Sequence, residues 1–186
     1  MKTINMLIAL LIVVGILGLS LVEGYIKPGR EKQEQQYLLE QKDPLTHDFS
    51  RALQYRNQYM GNASNLSNLN ASLPLDDIER SIQLYPEILT AEIFFQEAAI
   101  FIDRDLLKRS LIYNVTANFV LIDNLEVLSL HFQGETYTAN RESIAQWYGM
   151  EPEALQDAKR WKKEVQDKLK ERSYVERFME EVFEID

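Results

Sequence analysis

Residues 103–132 read DRDLLKRSLIYNVTANFVLIDNLEVLSLHF, and the folding of this stretch decides the architecture. From Leu111 to Leu121 the odd positions are all apolar, and Asn114, Thr116 and Asn118 alternate with them. That alternation is a strand pattern. The run from Asp103 to Asp123, however, contains no Gly or Pro, and Asp103 stands where a helix cap would stand. Length favours a largely buried helix over so long a strand. Beyond it, Leu128, Leu130 and Phe132 alternate with Ser129 and His131, which predicts a half-buried strand. Gln133-Gly134 makes a tight turn, and Glu135 to Thr138 pairs back as a hairpin.

Working outward, Ser81–Tyr85 and Leu89–Gln96 have strand character and are separated at Pro86. Asp43-Pro44 has the form of a helix start, with Leu45, Phe49, Leu53 and Met60 following at near-helical spacing and Gly61 placed to end it. The next stretch, GNASNLSNLNASLPL, predicts a loop and a small helix stopped by Pro74. Downstream, Asn140 caps a short helix that ends at Gly149, and Pro152 starts another. Ala154, Ala158, Trp161, Val165 and Leu169 share one stripe; Val175, Phe178, Met179 and Val182 share a second. Ser173 to Glu176 has the form of a capping box between them. The C-terminus is therefore two helices or one bent helix. The resulting expectation is an α+β fold, with a mostly antiparallel sheet packed against the Asp103 helix and the C-terminal helices.

The N-terminus is of another kind. Met6 to Val22 read MLIALLIVVGILGLSLV, without a charge. At 1.5 Å per residue this run covers roughly 25 Å, against a bilayer core of about 30 Å. Ile4 to Ile26 extends it to a workable span. We expect a transmembrane signal anchor over residues 1–27, contacting the lipid bilayer through residues 4–26, then a polar stalk over 28–42 and one globular domain over 43–186. A removed signal peptide is the alternative. Lys2 in a short basic leader favours export of the domain, whereas Lys27, Arg30 and Lys32 favour the opposite orientation. Export is the expectation, giving a single-pass protein of the cell membrane with an extracytoplasmic domain.

The formal net charge of −9 argues against nucleic acid as a partner, because phosphate backbones need a basic face. The absence of cysteine excludes disulfides, thiol chemistry, cysteine-ligated metal and a lipidated cysteine anchor. His47 and His131 have no partner at metal-ligand spacing, and both are expected at the surface. Acidic pairs occur at Asp76-Asp77 and at Asp103 and Asp105; helix capping is the commoner role for Asp103. No nucleophile elbow, phosphate loop or dinucleotide turn is present. No catalytic residue, metal site or cofactor is therefore expected. Asn62, Asn65, Asn70 and Asn114 each begin a formal glycosylation sequon. Asn114 and Asn118 lie four apart on an otherwise apolar segment, so on a helix they share a face. They form either a hydrogen-bonded pair or a polar spot lining a pocket.

Two blocks, YRNQYMGNASNLSNLNASLPL at residues 55–75 and NVTANFVLIDNLEVLSLHF at residues 114–132, together resemble domain-of-unknown-function family 4825. The resemblance spans Asp43 to Tyr148. It marks Tyr59, Gly61, Asn62, Leu73, Pro74, Ile122, Asp123 and Asn124 as motif positions, and implies a membrane-anchored protein of Gram-positive bacteria without an established catalytic site. Tyr85-Pro86 reverses the Pro-Tyr order usual in that family. Asp123-Asn124 is also a turn by its own chemistry, since both side chains bond their following backbone.

The expected function is a non-enzymatic binding or sensing module of the bacterial envelope, with a membrane or envelope protein as partner. The alternatives are an envelope hydrolase acting through Asp103, Asp105 or Asp123, and a structural subunit of a membrane assembly.

Overall fold

A computed structural model describes residues 27–186, together with Ile4, Met6, Leu7, Leu11 and Gly15. The expected membrane-spanning segment lies almost wholly outside the described residues. Among those described, no helix is long and apolar enough to cross a membrane. The chain divides into two compact units, one ending at Glu40 and one running from Gln41 to Asp186. The polar stretch forms helix α1, Lys27–Lys42, in which Gln36 donates to Glu40 one turn on at 2.9 Å.

The second unit is α+β. Its elements are α2 (Ala63–Ala71), β1 (Arg80–Tyr85), β2 (Thr90–Phe95), α3 (Arg104–Leu121), β3 (Val127–Phe132), β4 (Glu135–Asn140), α4 (Arg141–Tyr148), α5 (Ala158–Trp161), α6 (Arg172–Val182) and β5 (Glu184–Ile185). The sheet order is β1-β2-β3-β4-β5. It is mixed, which corrects the expectation of a mostly antiparallel sheet. β1–β2, β3–β4 and β4–β5 are antiparallel, but the central β2–β3 pair is parallel, with Ile93 opposite Leu130. The reason is connectivity: β2 and β3 are neighbours joined through α3, and parallel neighbours require such a crossover.

Helix α3 is the core. Every residue from Ser110 to Leu121 is buried. Asp103 caps it by accepting from the Leu106 amide at 2.8 Å. Its all-round burial explains the strand-like alternation in the sequence: the helix has no solvent face to set a 3.6-residue period. At its other end Arg141, from the start of α4, donates to the carbonyls of Phe119 (2.9 Å), Ile122 (2.6 Å) and Leu125 (2.9 Å) and pairs with Glu153 at 2.8 Å. The guanidinium thus satisfies Phe119 O at the helix end and ties down the turn that follows it through Ile122 O and Leu125 O.

Three local expectations are corrected. No α-helix starts at Asp43; that side chain closes a turn on the Leu45 amide, and a 3-10 helix runs from Phe49 to Tyr55 with Asp48 as its cap. The stripe after Pro152 is not one helix. A 3-10 turn (Pro152–Gln156), α5, a π turn (Lys162–Gln166) and a 3-10 turn (Lys168–Lys170) follow one another. The π turn brings both Val165 and Gln166 inward. Ala158 is exposed, and Leu155 rather than Ala154 is buried. The capping box at Ser173 does not form. Helix α6 begins at Arg172, and Glu176 instead holds Lys108 of α3 at 2.5 Å.

Candidate functional site

The two sequence blocks meet at one junction. The Asn57 amide donates to Leu121 O at 2.8 Å and the Asp123 amide to Asn57 O at 2.9 Å, an isolated parallel bridge between Asn57 and Ile122. Asn124 Oδ1 accepts from the Met60 amide at 2.6 Å, and Asn57 Oδ1 from the Tyr59 amide at 2.9 Å. Arg56 Nη2 lies 3.7 Å from Asp123 Oδ2. Most of the motif positions have local structural work here. A Cβ on Gly61 would stand 2.3 Å from Tyr59 Cζ, so only glycine lets that ring lie where it does. Asn62 caps α2 by accepting from the Asn65 amide. Leu73 and Ile122 are core residues. Tyr59 is the exception, about half exposed.

Asn114 and Asn118 are buried in hydrogen bonds. Asn114 Nδ2 donates to Pro74 O at 2.7 Å. Asn118 exchanges two amide bonds with Asn70, each 3.0 Å, and also donates to Asn114 O at 2.8 Å. This amide cluster ties α2 and the Leu73-Pro74 turn to α3. The buried Asn70 and Asn114 sequons therefore serve as internal polar joints.

The acidic candidates do not converge on a shared partner. Asp103 caps α3, while Asp105 is exposed in its first turn. Asp77 pairs with Lys42 at 2.8 Å beside exposed Asp76. Asp123 belongs to the junction with Arg56. Among the described residues no group of three or more His, Asp or Glu side chains could hold a metal. His47 corrects the surface expectation: it is only 3% exposed, bonded to Tyr113 and Ser72.

The outer face of the sheet gathers another set of polar groups. Alternation directs Ala91, Ile93, Phe95, Leu128, Leu130, Phe132, Tyr137 and Ala139 into the core. Their neighbours face the other way. Strand register sets Gln83, Glu92, Ser129, Thr138 and Glu184 in one row across all five strands. Ser129 Oγ and Thr138 Oγ1 are 2.9 Å apart. In the adjacent row, His131 stacks on Phe94 with centroids 4.4 Å apart, contacts Thr136 Oγ1 through Nδ1 at 3.1 Å, and sets Nε2 3.6 Å from Glu92 Oε2. The outward strand positions carry hydroxyls, amides, carboxylates and one imidazole beside Phe94 and Val127, with no Lys or Arg among them. Such a row can bind by hydrogen bonds and by attraction of positive charge. Alternation in the sequence gives His131 a polar face, but its pairing with Glu92 depends on which strands are neighbours, which local sequence does not encode.

The fold defines a small α+β domain with one face of its sheet packed on the core. The family model described as Domain of unknown function (DUF4825) matches residues 52–144, half of the chain, and the chain belongs to that family. The matched stretch contains β1 to β4, α2 and α3, and so the junction and most of the outer sheet face. No curated protein and no solved structure matches the chain.

Proposed function

We propose that the protein is a membrane-anchored binding module of the bacterial envelope, non-enzymatic, with its globular unit on the extracytoplasmic side. We further propose that it engages an envelope or membrane protein through the outer sheet face. The observation that carries this reading is the polar row Gln83–Glu92–Ser129–Thr138–Glu184, flanked by His131 and Phe94 and lacking any helix-packing apolar stripe. An uncovered sheet face is ordinarily polar, and this one adds a stacked His–aromatic pair to its polar positions. The apolar run at Met6–Val22 supports the tether. The dispersed placement of Asp103, Asp105 and Asp123 supports a role without catalysis.

Site-specific photocrosslinking in intact cells tests the face. A photoreactive residue at Gln83 or Thr136 is expected to give a discrete adduct, and one at exposed Lys159 is not. Equal labelling at all three positions, or none at the sheet positions, would refute the assignment. External protease on intact cells tests the side: a domain cut only after lysis would place it in the cytoplasm.

A further inference from the structure

His47 is buried with its two ring nitrogens on different partners, Nδ1 at 2.7 Å from the Tyr113 hydroxyl and Nε2 at 2.7 Å from Ser72 O. A carbonyl can only accept, so Nε2 carries the proton. Nδ1 is then the acceptor and the Tyr113 hydroxyl its donor. The surroundings thus select one neutral tautomer. The same turn is held by Gln166, whose amide donates to Pro44 O at 2.9 Å and His47 O at 2.8 Å. Phe49 completes the attachment by stacking on Trp161 at 3.7 Å.

We propose that His47 is a proton-operated clasp: protonation at Nδ1 sets donor against donor at Tyr113 and releases segment 43–49 from α3 and the π turn. The hydroxyl could rotate to accept from Nδ1, but its own proton would then need an acceptor. The neighbouring Trp161 ring, edge-on at 4.9 Å, offers only an N–H. Burial keeps the Tyr113 phenol well above its ordinary value, so it remains un-ionised. The charges facing His47 are Asp48 beside it and Asp76 from the turn after α2, which favour the proton, and Arg51 of the 3-10 helix, which opposes it. Burial is the largest influence and holds the imidazole below the ordinary histidine value. An unfolded histidine takes its proton near pH ~6.5. The clasp's contribution is therefore complete above that pH and drains away as pH falls toward the lower folded value. The device requires no ligand and stands or falls separately from the sheet-face assignment.

Hydrogen exchange of the full-length protein in detergent micelles, followed from pH 7.5 to 5.0 and corrected for intrinsic exchange, tests it. The amides of 43–49 are expected to open about tenfold more for each pH unit below ~6.5, until the folded value is reached, while α3 stays protected. His47→Gln supplies an amide that donates to Ser72 O and an oxygen that accepts from Tyr113, without titrating, so its profile is expected to be flat. A flat wild-type profile, or the same slope in both proteins, would overturn the proposal. Nitrogen-15 spectra of labelled histidine give a second reading that needs no variant. An Nε2–H tautomer at pH 7.5, with protonation coinciding with release, supports the clasp; an Nδ1–H tautomer, or protonation without release, overturns it.

Discussion

Leu130 and His131 are consecutive residues of β3 that face opposite ways. Leu130 is 1% exposed, opposite Ile93 and facing the core around α3. His131 stacks on Phe94 and stands beside Glu92 on the outer face. The same backbone thus presents two different chemistries one residue apart. The inner face is mostly apolar and depends on shape, with Arg80 and Glu135 at its margins. The outer face depends on which polar group stands beside which. On the function proposed above, stability and recognition separate by residue parity along the strands.

Substitution can break or sharpen this contrast. Leu130→Ala removes a core side chain that its neighbours can only partly replace, and is expected to cost about 2–5 kcal/mol in denaturant unfolding. A loss below about 1 kcal/mol would mean that the inner face is not packed as described. An intermediate effect is expected beneath the inner face, at the amide cluster. Asn118→Ala leaves Asn70 Oδ1 buried without its donor, while Asn70 Nδ2 keeps Leu66 O, and should cost about 1–3 kcal/mol. Adding Asn70→Ala should then cost less than it does alone, a coupling that a double-mutant cycle reads directly. Strict additivity would show that the two amides do not act as a pair. The smallest stability effect is expected for His131→Gln, within about 0.5 kcal/mol. Its consequence should instead appear as loss of the crosslinked adduct from the neighbouring Thr136 position. A large fall in stability with the adduct intact would reverse the assignment of the two faces.

Much of the architecture is legible in the sequence where local signals agree. Asp103 with a long breaker-free run yields α3, Asn140 and Gly149 delimit α4, and alternation around Gln133-Gly134 yields the β3–β4 hairpin. Asn114 and Asn118 were legible as a shared face, but their partner Asn70 was not. It lies 48 positions from Asn118, and nothing local links the two. The parallel β2–β3 joint was hidden for a related reason, since strand neighbours are chosen in three dimensions. His47 misled because the adjacent Asp48 suggested solvent, whereas the ring turns inward between α3 and the Leu69–Leu73 turn. Glu176 has the spacing of a capping box but pairs with Lys108 instead. Arg141 carries no sequence signal of its role. An arginine next to an N-cap reads as a surface charge until three carbonyls converge on it.

The parallel joint at the middle of the sheet has a consequence for the order of assembly. The β1–β2 and β3–β4 pairs are hairpins whose strands are close in sequence, so each can zip up early from its own turn. Residues 96–126, including all of α3, must be gathered before those two halves can be joined. Closing that long loop carries an entropy that is recovered only when contacts form on both sides. The central seam is thus expected to be the late step of folding. Until it closes, the chain would hold two ribbons with an apolar helix between them, each ribbon presenting at its inner edge a strand with backbone groups still unpaired.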